Sequence, residues 1–285
     1  MDPKNIVAKD SSFFGQPGGL QTLFFTEMWE RMSYYGMRAL LVLFMTASLQ
    51  EGGLAITVAS ATAIYGLYTG AVYFMGLPGG WIADRLLGGQ RATWYGGIII
   101  MLGHIVLAIP SEAGFFVGMI LVVLGTGLLK PNITAMVGQL YSSDDDRRDG
   151  GYTLYYMGIN IGSIIGYFVT GYLMENAGYH WGFGAAAVGM AFGLIQYKLT
   201  QRKLNGVGEK PPKPMSPKGT KRSWGIIWLL LAGLAVYTYL ALNDYVTIDP
   251  TVVAGNVAII FTVIFFLYYL SVFIFGKLTR DEMKR

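Results

Sequence analysis

The chain has 285 residues, 53% of them hydrophobic and only 13% charged, about half the charge of an ordinary soluble domain. Its 39 glycines and 14% aromatic content suit membrane helices, where small residues let backbones approach and Trp and Tyr gather at the interfaces. This balance excludes a soluble domain. The lack of cysteine excludes disulfides and thiolate metal sites, and the first 19 residues lack the pattern of a cleavable signal peptide.

Stretches apolar enough to cross roughly 30 Å of hydrocarbon predict eight transmembrane helices, at 19–49, 54–83, 91–110, 113–137, 150–175, 180–202, 223–243 and 250–277. The fold class expected is therefore an all-α polytopic membrane protein. Three of the 21 basic residues, Arg31, Arg38 and Lys130, fall inside these spans. All the others lie in one set of connections: Lys4 and Lys9, then Arg85 and Arg91, Arg147 and Arg148, the stretch Lys198 to Arg222, and Lys277 to Arg285. The opposite set, around 50–53, 111–112, 175–180 and 243–249, contains no Lys or Arg. The positive-inside rule makes the basic set cytoplasmic, which puts residues 1–18 and both termini inside. Residues 203–222, rich in Pro and Lys, predict an extended cytoplasmic linker. It divides a six-helix block, 19–202, from a two-helix block, 223–277.

A charge at the centre of a spanning helix costs roughly 2.5–3.5 kcal/mol even on the lenient insertion scale, so the three intramembrane cations need partners or a watery cavity. Arg31 lies roughly 18 Å into the first helix at 1.5 Å per residue, too deep to snorkel. At helical spacing, Glu27, Glu30, Arg31, Tyr34 and Arg38 share one stripe, with Tyr35 at its margin. One guanidinium beside two carboxylates is uneven: Arg31 can hold one ionised by pairing, while the other has reason to take a proton. A carboxylate whose proton affinity depends on where Arg31 is engaged is what proton coupling requires. The alternative is a static charge pair that orders helix packing. Lys130 precedes Pro131 in the fourth helix, which carries no neighbouring acid. It must face the first helix, a cavity or an anionic ligand, or else snorkel to the cytoplasmic side.

The turn after the second helix, Gly79 to Arg91, sets Asp84 among Arg85 and Arg91 in a Gly-rich sequence. Asp84 can accept from Arg91 or from a helix N-terminus, which reads as a cytoplasmic latch; the alternative is a turn that only sets topology. His104 and His180 have no partners at ligand spacing and read as packing or interfacial residues. Asp144 to Asp149 reads as a solvated loop, since a calcium loop needs a ligand alternation that is absent. No metal site and no cofactor is expected, nor a nucleotide-binding lysine loop or an enzyme's catalytic constellation. The basic linker is expected to meet lipid headgroups, not nucleic acid.

Three motifs carry a family resemblance. Glu27-Met28-Trp29-Glu30-Arg31-Met32-Ser33-Tyr34-Tyr35-Gly36 resembles the ExxER(F)xYYG signature of the proton-dependent oligopeptide transporters (POT/PTR), a branch of the major facilitator superfamily. Met32 stands where Phe is usual. Tyr155-Tyr156-Met157-Gly158-Ile159-Asn160-Ile161-Gly162-Ser163 is similar to that family's FYxxINxGS signature, with Tyr155 in place of Phe. The Gly80–Arg91 turn is similar to a broad superfamily motif. The resemblance implies a six-helix N-terminal bundle followed by two inserted helices, with residues 278–285 beginning a second six-helix half. It also implies proton-coupled symport of di- and tripeptides across a bacterial cytoplasmic membrane, with the proton as coupling ion. Glu27, Glu30 and Arg31 would couple protons, while Tyr34, Tyr35, Arg38, Tyr73, Lys130 and Asn160 would meet the peptide. The partner expected is the second half, in the same or another chain. Transport of another anionic solute such as nitrate, or a binding role without transport, are the rival readings.

Overall fold

A computed structural model describes residues 10–275, which are helical almost throughout, with no β-strand among the described residues. The expected spans form as α1 (Gly18–Thr46), α2 (Val58–Phe74) continued by α3 (Gly76–Ile82), α4 (Gly89–Leu107), α5 (Glu112–Gln139), α6 (Arg147–Ala177), α7 (Tyr179–Thr200), α8 (Pro217–Leu242) and α9 (Pro250–Phe275). Lys4, Lys9, the end of the eighth predicted span at 276–277 and the stretch 278–285 lie outside the described residues. Among the described residues, five spans are long and apolar enough to cross a membrane: Val58–Leu87, Glu112–Gln139, Arg147–Ala177, Pro217–Leu242 and Pro250–Ile274.

Capping explains where the boundaries moved. α1 stops at Thr46, short of the expected end, and the chain then makes a separate 3-10 turn, Leu49–Glu51, closed by a reciprocal Ser48–Glu51 capping box. α2 starts late, at the residue after Thr57, whose hydroxyl accepts from Ser60 N at 3.3 Å. α8 starts early because Ser216 Oγ accepts from Gly219 N at 3.3 Å and Pro217 opens the first turn.

α1 is the central helix. It packs along α6 and α7, with α2 and α5 nearer its polar stripe, and is buried over most of its circumference. Its approach to α6 is set by small residues: a Cβ on Gly162 would fall 2.1 Å from the Met28 carbonyl oxygen, and one on Gly166 2.4 Å from that of Met32. α4 and α5 also cross at close range, with Gly96 against the Gly125 carbonyl and Gly103 against that of Gly118. α9 leans on α2, while α8 has no helix packed closely along it among the described residues.

Two apolar clusters divide the bundle. One gathers Leu20, Leu23 and Phe24 with Leu129 to Leu140 of α5 and Met190 to Tyr197 of α7. The other gathers Met37 to Met45 with Phe115, Val122 and Phe183. The buried Glu30–Arg31 pair of α1 falls between them.

The linker departs from the extended tether expected at 203–222. Gln201–Leu204 form a 3-10 turn, the chain reverses through Asn205, Gly206 and Gly208 at positive φ, and Pro217 onward is already helix. Its middle docks on the α3–α4 turn. Gln90 N donates to Gly208 O at 2.8 Å, Lys213 N to Asp84 O at 3.1 Å and Met215 N to Arg85 O at 3.4 Å. Gly88 permits this contact, since its φ is +82° and a Cβ there would meet Glu209 O at 2.7 Å.

The acidic loop before α6 also does more than face solvent. Arg147 pairs with Asp145 at 2.7 Å and donates to Asp10 O at 2.8 Å, while Tyr141 OH donates to Gln16 Oε1 at 3.0 Å. These bonds clasp residues 10–17 to the bundle, and the Arg147 guanidinium holds the Asp145 carboxyl below its ordinary range.

Gly162→Ala is expected to cost about 1–3 kcal/mol by overpacking the α1–α6 crossing. Gly171→Ala, with open space at its Cβ, is expected to be neutral or slightly stabilising. Unfolding of the purified chain in detergent measures both.

Candidate functional site

The centre of the site is a charge layer on α1, buried on every side. Arg31 Nε lies 2.9 Å from Glu27 Oε1 and 2.5 Å from Glu30 Oε2, and all three side chains are at most 2% exposed. Glu27 reaches Arg31 by i,i+4 spacing, and Glu30 is its immediate neighbour, so one helix supplies the whole triad. Arg31 Nη2, Glu27 Oε2 and Glu30 Oε1 are buried without a hydrogen-bond partner among the described residues. One guanidinium therefore serves two carboxylates and satisfies neither fully. Such a layer has room to accept a proton or to exchange partners.

Aromatic rings cover the layer on one side. The Arg31 guanidinium lies 5.1 Å from the Tyr34 ring centroid and 6.0 Å from that of Tyr35. Tyr35 in turn approaches Tyr167 of α6 at 6.1 Å. Tyr34 is buried, Tyr35 half-buried and Tyr167 exposed.

Beyond them stands an open wall. Lys130, half-buried, sits 4.6 Å over the ring of Tyr73, which is 64% exposed. Lys130 also lies within electrostatic reach of Glu30, so of the alternatives for Lys130 the structure places it toward the first helix and an open face. Arg38, about two turns along α1 from Arg31, donates through Nε to Tyr65 OH and lies over that ring at 5.2 Å. Asn160 is exposed and turned back on its own helix, Nδ2 donating to Tyr156 O at 3.1 Å. Seven residues separate it from Tyr167, two helical turns that put both on one face of α6. Asn160 makes no hydrogen bond to Lys130 or Arg38.

The latch residues stand apart from this layer. Asp84, Arg85 and Arg91 are exposed, and no ion pair joins Asp84 to Arg91 among the described residues. The expected side-chain pairing is thus replaced by backbone bonds from the linker to the Asp84 and Arg85 carbonyls. Asp84 lines a cavity of about 810 Å³ with Asn132, Gln139, Ser142, Glu209 and Lys210. His180 packs its ring on Phe44 and faces Leu107 O at 3.3 Å; His104 is buried with neither ring nitrogen bonded among the described residues.

Three contributors escaped the sequence reading. Tyr65 and Tyr68 of α2 sit at i,i+3 in an apolar span and turn toward α1, with the Tyr68 hydroxyl buried and unbonded among the described residues. That spacing was the available signal. Thr134 lies one turn past Lys130 and donates to its carbonyl at 3.0 Å; nothing in the sequence distinguishes it from other membrane threonines.

Residues 90–232 match the profile of the PTR2 family, described as the POT family. This chain belongs to the POT family. It is an integral membrane protein of that family. It is 47% identical over 222 residues to an uncharacterized transporter, YclF, of Bacillus subtilis, a match covering 76% of this chain and 45% of the relative. It is 41% identical over 290 residues to a di-/tripeptide transporter of Lactococcus lactis, covering 99% of this chain and 58% of that one. A crystal structure of a peptide transporter POT in complex with sulfate superposes with a TM-score of 0.85 at 42% identity, over 99% of this chain and 58% of the other. The chain thus spans about half the length of the relatives it matches.

Removing Arg31 alone leaves two buried carboxylates without a cation, so Arg31→Met is expected to destabilise the chain by about 3–5 kcal/mol. Replacing all three charges together (Glu27→Gln, Glu30→Gln, Arg31→Met) is expected to cost less than Arg31→Met alone. Chemical unfolding of the two variants side by side measures the difference.

Proposed function

We propose that this chain supplies the N-terminal bundle of a proton-coupled symporter for di- and tripeptides working by alternating access. The observation that carries the reading is the buried Glu27–Arg31–Glu30 layer set directly behind the open wall of Tyr73 and Lys130. The names of the curated relatives support the substrate class.

In this reading Arg31 holds whichever carboxylate it engages in the ionised form, and the other is free to take a proton. A peptide carboxylate arriving at Lys130 draws that cation's field away from Glu30, so substrate and proton act on one shared balance of charge. Tyr34, Tyr35, Arg38, Tyr73 and Asn160 give the peptide its polar and aromatic contacts. A second six-helix bundle closes the site from the opposite side, since a site between two bundles is opened and shut by rocking one against the other.

In this reading the membrane is a bacterial inner membrane, and the excess of basic residues supports a cytoplasmic position for the Arg85–Arg91 turn, the linker and both termini. Asp84 and Arg85 act there as a latch through the linker that their carbonyls hold, with Arg91 beside them in the same turn. The coupling ion is the proton; peptides, lipids and the second half are the partners, and no chemical conversion takes place.

Uptake of labelled dipeptide, in cells producing this chain joined to a second half, tests the reading. Accumulation is expected to follow an inward proton gradient and to be competed by peptides and not by nitrate. Glu30→Gln and Arg31→Ala are each expected to lose proton-driven accumulation. Normal accumulation by both variants would overturn the coupling role.

A further inference from the structure

We propose that Tyr65 is a positioning residue for the transported peptide, fixing the Arg38 guanidinium so that its two Nη groups stay free to grip the substrate. The inference rests on the transport reading given above and deepens it by a residue of α2.

Arg38 is half-buried on α1, and Tyr65 is half-buried beside it on α2. One ring holds the guanidinium twice. Arg38 Nε donates to the Tyr65 hydroxyl oxygen, and the guanidinium carbon lies over the same ring, 5.2 Å from its centre. A directional bond to the hydroxyl and a contact with the ring together fix where the guanidinium sits and how it is turned. The ring is itself supported. Tyr65 packs, with Ile64, against the apolar cluster that holds Met37, Leu41 and Tyr68.

What this arrangement leaves open carries the inference. A guanidinium has five N–H groups, and Tyr65 engages only the one on Nε. Neither Nη atom of Arg38 has a hydrogen-bond or ion-pair partner among the described residues, and neither is sealed from solvent. The carboxylates of Glu27 and Glu30 are engaged by Arg31, about two turns away. Tyr65 is neutral, so it orients the cation without cancelling its charge.

An arginine that merely had to be tolerated here would need no such partner, because its charged end already reaches water. Holding Nε alone leaves the Nη pair as a fork, the geometry that grips a carboxylate or a peptide carbonyl oxygen. A fork set before the peptide arrives loses less freedom on binding than one that must be ordered by it.

Dipeptide uptake by this chain joined to a second half tests the proposal, with KM and Vmax read separately. Tyr65→Phe keeps the ring and deletes only the hydroxyl. Its KM is expected to rise roughly three- to tenfold, with Vmax and the dependence on the proton gradient unchanged. Equilibrium binding of the same labelled dipeptide adds a double-mutant cycle. With Arg38→Met in place there is no guanidinium to hold, so adding Tyr65→Phe is expected to weaken binding no further. An unchanged KM in Tyr65→Phe, a fall in Vmax without a rise in KM, or an equal loss of affinity in both backgrounds would overturn the positioning role and leave symport standing. The absence of saturable dipeptide uptake by the unaltered protein would overturn symport and this inference together.

Discussion

Everything in this bundle is arranged around a guanidinium that has to live inside a membrane. An isolated charge at the depth of Arg31 costs several kcal/mol, and its own helix answers with two carboxylates at 2.9 and 2.5 Å. The answer overshoots by one negative charge. Ion pairs buried so completely add little stability over an apolar core of the same volume, so the layer is poorly explained as a staple. An odd number of charges is better explained as a site whose balance is completed from outside, by a proton or by the Lys130 cation. The nearness of Lys130 to Glu30 makes an anion held at Lys130 sensitive to that balance.

Keeping that layer dry is a backbone problem before it is a side-chain one. Glycines on α6 let the carbonyl ridge of α1 come close enough that Gly162 almost touches Met28 O, and the two apolar clusters seal the layer from either end. The same economy of side chains occurs where α3 crosses α5. Pro131 leaves the Gly127 carbonyl without its usual donor, and that carbonyl faces Gly79, where a Cβ would fall 1.9 Å away. Asn132 ties the crossing by donating to Gly79 O at 3.3 Å and to Leu128 O at 2.6 Å. The proline position beside Lys130 is therefore held by its neighbours.

The sequence made the membrane spans legible because burial in lipid leaves long apolar runs and sorts Lys and Arg to one side, signals that need no tertiary information. The charge layer was legible for a related reason: Glu27, Glu30 and Arg31 sit on one helix at fixed angular spacing, so their contact follows from helix geometry alone. The Lys130–Tyr73 contact and the Arg38–Tyr65 bond join different helices, and residue spacing, which can mark Tyr65 and Tyr68 as one face of α2, does not say which helix that face meets. Asp84 and Arg91 show the opposite failure. Opposite charges close in sequence invited a pairing, but Gly88 at φ +82° opens the turn to another stretch of chain, and backbone groups of the linker take the place of the ion pair.

That substitution changes what the linker is. Gln90 has each of its hydrogen-bonding groups engaged: N with Gly208 O, Nε2 with Val207 O, Oε1 with Gln201 Nε2, and O with Tyr197 OH. Three elements, the α3–α4 turn, the end of α7 and the linker, are thereby fixed to one buried residue. A Lys- and Pro-rich stretch left free would let α8 and α9 drift relative to the six-helix block, and composition alone supports that picture. Anchored at Gln90, Asp84 and Arg85, the root of α8 instead follows the α3–α4 turn, while α9 leans on α2 of the same rod. A rocking movement of this bundle would then carry the two-helix block with it at both its base and its membrane face. A rigid attachment of this kind is possible only because the turn carries glycine where any side chain would collide with Glu209.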